Sequence, residues 1–180
     1  TGDAKGAYAL CDAAGQTAPV AVADAEFLAG FIALRKLNDP VAALAHFRKL
    51  AEVSKAAITQ ARSWYWQGRA EAAAGHDPQP DYRKAAAWPT TFYGQLAALA
   101  LGDDAAALAR RIDALHDPAW TRTAVLDFTA HEVGRAAVFL VAWGDAPRAR
   151  AFLLRMDALA PNPTDRSLAA TLALRLGLPD

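Results

Sequence analysis

The chain has 180 residues, 19 basic and 19 acidic side chains, and a mean hydropathy of +0.05. Such a length suits one ordinary domain or a short solenoid. The even charge lacks the basic surplus with which nucleic-acid binders release counterions, and no apolar run approaches the roughly 18 residues that span a bilayer. Neither nucleic acid nor a membrane span is therefore expected.

Cys11 is the only cysteine and cannot form an internal disulfide. It reads as a small buried apolar residue. The chain begins at Thr1 without an initiator Met, so its start is expected to be processed or truncated.

Glycine and proline lie between the apolar segments rather than within them, and strand signals are nearly absent. A short first helix ends before Gly15, with Tyr8 and Leu10 expected to face inward. A looser stretch containing Pro19 follows. Asp24 is expected to cap a helix running to Asn38, with Phe27, Phe31, Leu34 and Leu37 on one face. Asp39-Pro40 restarts the chain as cap and first helical residue, and the next helix carries Leu44, Phe47 and Leu50.

A longer helix spans about Lys55 to Ala74, stops at Gly75, and contains Ile58, Ala61, Trp64, Tyr65, Gly68 and Ala72. After the turn His76 to Pro80, a short helix begins at Tyr82 and ends near Trp88. Pro89 breaks it, Thr90 or Thr91 caps the next, and Gly102 ends that one. Asp103 or Asp104 starts a further helix through Leu108 and Ile112. Asp117-Pro118 is expected to repeat the Asp-Pro start, ahead of helices near Val125 and from Ala130 to Trp143. Gly144-Asp145 precedes a helix with Ala149, Phe152, Leu153 and Met156. Asn162-Pro163 and Thr164 open the last helix, which stops at Gly177.

These elements read as helical hairpins. In three places a helix with small residues meets a turn and then a helix rich in Ala and aromatics, at an irregular spacing near 34 to 40 residues by our reading. Tetratricopeptide-type repeats follow the same logic. The expected fold is all-α, a solenoid or superhelix of antiparallel helical hairpins that is tetratricopeptide-like. It is expected as one domain over 1–180, with a sub-boundary near 102–118.

Chemistry is sparse. His131-Glu132 begins like a zinc-protease helix, but Arg135 stands where the second His is required. No metal site and no cofactor is expected. Serines occur only at Ser54, Ser63 and Ser167, without a nucleophile-elbow motif. Glu26, Glu52, Glu71 and Glu132 read as solvated or i, i+4-paired helix acids, Glu132 in a local ion pair with His131 or Arg135. His46 reads as a partly exposed helix residue.

The aromatic clusters Trp64-Tyr65-Trp66 and Trp88 to Tyr93 are the features left over. Successive helical residues turn by about 100°, so the three rings cannot share one side. Packing between hairpins is the simpler expectation. The candidate binding residues are Trp66, Arg69, Tyr93 and Gln95. Arg69 suits a glycan or peptide carboxylate. It suits a helix acid such as Asp81 as well, and that pairing is the favoured expectation.

Three segments carry a resemblance: FLAGFIALRKLNDPVAALAHFRKL from Phe27, AITQARSWYWQGRAEAAAG from Ala57, and AAAWPTTFYGQLAALALG from Ala85. Together they resemble the superhelical region of the soluble lytic murein transglycosylases. Trp88 stands where that family usually has Tyr. The likeness is best from Ala25 to Gly102 and weaker beyond it.

The resemblance implies a periplasmic protein of a Gram-negative bacterium. That family cleaves the bond between N-acetylmuramic acid and N-acetylglucosamine in peptidoglycan, forms 1,6-anhydro products, and needs no cofactor. Its catalytic Glu precedes a Ser in a separate lysozyme-like domain that also bears Gly-Leu-Met-Gln. Here the four Glu precede Phe, Val, Ala and Val, and Gly-Leu-Met-Gln does not occur, so no catalytic residue carries over. The chain is expected to stop before that catalytic domain. It would be inactive alone and would hold the domain and orient glycan strands. The implied partners are peptidoglycan strands and that domain. The alternative is a stand-alone helical-repeat adaptor for a periplasmic protein.

Overall fold

The computed structural model describes residues 2–116, 118–159 and 162–177, the side chains of 157–159 excepted, and every regular element among them is a helix. The chain divides into two compact units, Thr1–Ala114 and Leu115–Asp180. The first holds α1 (Ala4–Asp12), α2 (Pro19–Lys36), α3 (Pro40–Val53), α4 (Ala57–Ala73), α5 (Gln79–Ala86), α6 (Phe92–Ala100) and α7 (Ala105–Asp113). The second holds α8 (Arg122–Ala130), α9 (Glu132–Ala142), α10 (Ala146–Leu159) and α11 (Pro163–Arg175).

Local chemistry sets these boundaries. Free N–H groups in a first helical turn need acceptors, and short polar side chains supply them. Asp39 accepts from the Ala42 N–H at 2.9 Å, Thr91 from Gly94 at 3.1 Å and Asp104 from Ala107 at 2.7 Å. Asn162 does the same for Asp165 at 2.9 Å. After α4 the chain turns through the left-handed region at Gly75 (φ +80°), which lets the His76 N–H reach the Glu71 carbonyl at 2.9 Å. After α2 that role falls to Asn38, at φ +54°.

Several sequence expectations are corrected. Helix α2 opens at Pro19, not Asp24, because proline is pre-set for the first helical position and the Ala-rich stretch after it favours helix. Asp24 therefore lies inside the helix. Leu10 does not face inward: it is 76% exposed, and α1 has no buried residue. The half-buried Cys11 is not a core residue. Pro118 does not start a helix: the residues after it are irregular, and α8 opens where the Thr121 hydroxyl accepts from Ala124 at 3.1 Å. Asp117 lies outside the described residues. Glu132 is exposed in the first turn of α9, and no described residue pairs with it.

The buried face of α2 is also not the expected aromatic one. Its buried positions are Ala23, Glu26, Ala29, Gly30, Ile32 and Ala33, while Phe27 and Phe31 are half-buried. Small residues lie where α1 and α3 pack on α2, because backbones can approach only there. The Gly30 position shows the limit, since a Cβ built on it would lie 2.7 Å from the Phe47 ring. Gly68 plays the same part between α4 and α5, at 2.6 Å from the Tyr82 ring. Gly94 and Gly134 serve a different contact, with Cβ positions 2.0 and 2.2 Å from the Trp88 and Phe128 carbonyl oxygens. In both places a carbonyl at or near the end of one helix rests on the next helix six residues later.

Helix α4 is the hub of the first unit and packs on α2, α3, α5 and α6. Phe47 is fully buried beside Ala33, Ala43 and Ala70, and a second cluster gathers Tyr65, Tyr82, Ala85, Ala86, Ala97 and Ala98. Full burial of a side chain such as Phe47 contributes about 1.5–3 kcal/mol. In the second unit, Phe128, Ala137, Ala149, Leu153, Met156, Leu168 and Ala169 form a separate core.

Candidate functional site

Helix α4 turns by about 100° per residue, which assigns each of its sides to a neighbour. Arg62 and Trp66 meet α2: the Arg62 guanidinium lies 4.4 Å from the Phe27 ring centre, and Trp66 lies 5.2 Å from Phe31. Ser63 and Gln67 meet α3. The buried Ser63 hydroxyl donates to the Phe47 carbonyl at 2.6 Å and accepts from the Gln67 amide at 3.0 Å. Trp64 and Gly68 meet α5, and Tyr65 reaches Tyr93 of α6 at 5.5 Å. Two sectors of α4 remain open.

The first opens between α2 and α6 and holds Arg62 and Arg69, two turns apart on one line. Arg69 sits 5.9 Å from both the Tyr65 and Trp66 ring centres and donates to the Tyr65 hydroxyl at 3.1 Å. It does not pair with Asp81, which instead lies 3.5 Å from the Lys84 ammonium. Arg69 is held on α4 by the Tyr65 hydroxyl and beside the Trp66 ring, while Asp81 of α5 is taken up by Lys84 on its own helix.

Trp66 packs among Phe27, Phe31, Phe47 and Tyr65, and its indole N–H is buried without an acceptor. Such a group costs about 1–3 kcal/mol. Gln95 donates to the Pro89 carbonyl at 3.1 Å and braces the turn before α6. The structure thus brings Trp66, Arg69 and Tyr93 together around Tyr65, whereas Gln95 serves the local turn. Arg62, which the sequence reading did not single out, belongs with the first three. The clue available was its seven-residue spacing from Arg69.

The second open sector is a groove of about 410 Å³ between α3 and α5. Its lining includes Arg48, Lys55, Gln60, Trp64 and Lys84, with the Lys84 ammonium 4.0 Å above the Trp64 ring. Charges of both signs line it, since Glu52 and Asp81 belong to the same wall.

A third polar cluster ties α1 to α2 and α3. Glu26 is not a solvated acid: it is buried, and one oxygen lies 2.8 Å from His46 Nδ1. A carboxylate only accepts, so Nδ1 carries a proton, and Nε2 lies 2.9 Å from the Tyr8 hydroxyl. Lys49 binds the other Glu26 oxygen. Burial pushes the Glu26 carboxyl up, but hydrogen bonds from Lys49 and His46 outweigh it and hold the group below the ordinary carboxylate range. Burial and the nearby carboxylates of Asp12, Asp39 and Glu26 push the Tyr8 hydroxyl up. Every member of this relay has a partner, so it acts as a fastener for α1. Its members are 20 and 38 residues apart, which hides it from helical spacing. Glu71 likewise pairs beyond its own turn, with His76 at 2.8 Å and Arg48 at 3.5 Å.

Among the described residues no group of three or more His, Cys, Asp or Glu side chains is arranged to hold a metal ion. No helix among them is long and apolar enough to cross a membrane. No family model, curated protein or solved structure matches the chain.

Proposed function

We propose that this chain is a superhelical scaffold region of a periplasmic lytic murein transglycosylase. In this role it carries no chemistry of its own. It holds a lysozyme-like catalytic domain and orients peptidoglycan strands, with the arginine–aromatic face of α2, α4 and α6 as the contact surface.

One observation carries the reading. The three segments that resemble that family, Phe27–Leu50, Ala57–Gly75 and Ala85–Gly102, supply α2, α3, α4 and α6 and the end of α5. Their shared glycines are the points of closest approach: Gly30 on Phe47, Gly68 on Tyr82 and Gly94 on the Trp88 carbonyl. The resemblance therefore falls on residues that set the packing, where chance likeness between Ala-rich helices would not concentrate.

The test is sedimentation with purified sacculi, followed by mass spectrometry of the soluble fraction. The chain should pellet with sacculi and release no anhydro-muropeptides. Failure to pellet, or release of anhydro products by this chain alone, would reject the reading. The adaptor alternative draws on the same face and predicts one stoichiometric protein partner recovered from a periplasmic extract.

A further inference from the structure

The groove on the α3–α5 side of α4 has polar groups that the chain itself leaves unmatched. Arg48 and Glu52 stand on its α3 wall, Asp81 and Lys84 on its α5 wall, and the buried Gln67 of α4 between them. Each wall therefore carries both signs of charge. Among the described residues no ion pair crosses from one wall to the other. Asp81 meets Lys84 of its own helix at 3.5 Å, and Arg48 reaches only Glu71 of α4, also at 3.5 Å. Lys55, at the α3–α4 turn, donates to the Ala51 carbonyl at 3.1 Å. The space between the walls is about 410 Å³, within the range of about 300–1,000 Å³ found for small-molecule sites.

The Gln67 side chain is 2% exposed, and hydrogen bonding fixes which way its amide faces. The Ser63 hydroxyl gives its proton to the Phe47 carbonyl at 2.6 Å, so toward Gln67 it only accepts. The Phe47 carbonyl only accepts as well. Both partners therefore require the Gln67 nitrogen, which lies 3.0 Å from Ser63 and 3.4 Å from Phe47. That leaves Oε1 as the amide atom free for the groove, and no described residue donates to it. An acceptor this deep without a donor is a cost to the fold that a bound donor removes.

Gln67 Oε1 calls for a donor, and Asp81 in the same groove calls for a positive one. Arg48 and Lys55 call for an anion. A simple anion would be repelled by Glu52 and Asp81, and a simple cation by Arg48, Lys55 and Lys84. One small molecule meets both demands when it carries an ammonium and a carboxylate. We propose that the α3–α5 groove binds a small zwitterion, a free dipeptide. Its ammonium donates to Gln67 Oε1 and Asp81, and its carboxylate lies with Arg48 and Lys55. A dipeptide suits the volume better than a single amino acid, and Ala51 and Trp64 offer its side chains apolar contacts. This site lies on a different side of α4 from the arginine–aromatic face and does not require the scaffold reading.

The experiment follows the indole N–H signals of the isotope-labelled full chain during titration with glycylvaline. Five tryptophans give five signals. Trp64 lines the groove and donates to Gln60 at 3.3 Å, so its signal reports the site, and a Trp64→Phe spectrum assigns it. Trp120 and Trp143 belong to the other unit and serve as internal controls. Glycylvaline should move the Trp64 signal saturably and leave Trp120 and Trp143 in place. N-acetylglycylvaline, which lacks the ammonium, and glycylvalinamide, which lacks the carboxylate, should each bind at least tenfold more weakly. Asp81→Asn should erase the advantage of glycylvaline over the acetylated form. Arg48→Gln combined with Lys55→Gln should erase its advantage over the amide; both residues are exposed, so the fold should survive. Arg148→Gln in the other unit should change nothing. No saturable shift, equal binding of either blocked form, or indifference to either set of substitutions would overturn the proposal. So would an N-acetylglucosamine oligomer that moves the Trp64 signal where glycylvaline does not. None of these results bears on sacculus pelleting, which decides the scaffold reading separately.

Discussion

Replacing Gly68 with Ala sets two effects of opposite sign against each other. In a helix interior Ala is worth about 1 kcal/mol over Gly, so a surface site would be stabilised. At Gly68 the new Cβ would lie 2.6 Å from Tyr82 Cε1 and 2.7 Å from Cδ1. Carbon pairs rest at about 3.5–4.0 Å, so the overlap is close to 1 Å. Tyr82 cannot swing away, because it is 7% exposed and lies against the Tyr65 ring at 5.8 Å. Overpacking of this kind costs about 1–3 kcal/mol, and with an overlap near the upper end the clash should win by up to about 2 kcal/mol. Urea unfolding read by tryptophan fluorescence measures it. A Trp120→Phe, Trp143→Phe background confines the signal to Trp64, Trp66 and Trp88 of the first unit. The decisive comparison is the same substitution in a Tyr82→Ala background, where the obstacle is gone and Gly68→Ala should turn stabilising. Stabilisation in the wild-type background, or an equal cost in both, would refute the close approach of α4 and α5.

Two further changes probe the joints of the first unit. Ser63→Ala removes the hydroxyl that bridges the Phe47 carbonyl and the Gln67 amide at 2.6 and 3.0 Å, while those two groups keep their direct 3.4 Å hydrogen bond. It should cost about 0.5–1.5 kcal/mol in the same unfolding assay, and a neutral result would place the α3–α4 contact elsewhere. Glu26→Gln concerns pH. Hydrogen bonds from Lys49 and His46 outweigh burial and depress the folded carboxyl, so its contribution is complete above the unfolded value near about 4.3. That contribution is lost as pH falls through the lower folded value. The variant should melt earlier at pH 7 and lose less than the wild type between about pH 5 and pH 3, and parallel melting curves across that window would contradict the relay.

The helix boundaries marked by Asp39-Pro40, Thr91, Gly75, Gly102 and Asn162-Pro163 were legible in the sequence because capping is local chemistry, whereas Pro118 misled. The misplacement of the α2 start shows the limit. Asp24 has the side chain of a cap, but a capping residue acts only where the preceding chain is not already helical, and Pro19 with its alanines makes it so. The facing of helices was less legible. Periodicity placed Phe27 and Phe31 on the buried side of α2, whereas burial went to Ala, Gly and Glu26, because close packing of backbones selects for small residues before large ones. The Tyr8–His46–Glu26 relay was invisible for another reason: its members meet only through tertiary contact, and each alone resembles an ordinary surface residue.

The arrangement around α4 shows why three consecutive aromatics are not redundant. Rings about 100° apart cannot fill one gap, and here each fills a different one. Trp64 lies under Lys84 of α5, Tyr65 between Tyr82 and Tyr93, and Trp66 among Phe27, Phe31 and Phe47. With α2, α3, α5 and α6 seated on those sides, the helix has two outlets left, and each is polar. One is the groove where Trp64 meets charges of both signs, and the other is the line of Arg62 and Arg69. A helix whose aromatics are all spent on neighbours can offer a ligand only what remains on its open sides. On the α2–α6 side that is a pair of guanidiniums, one of them 3.9 Å from the Asp24 carboxylate.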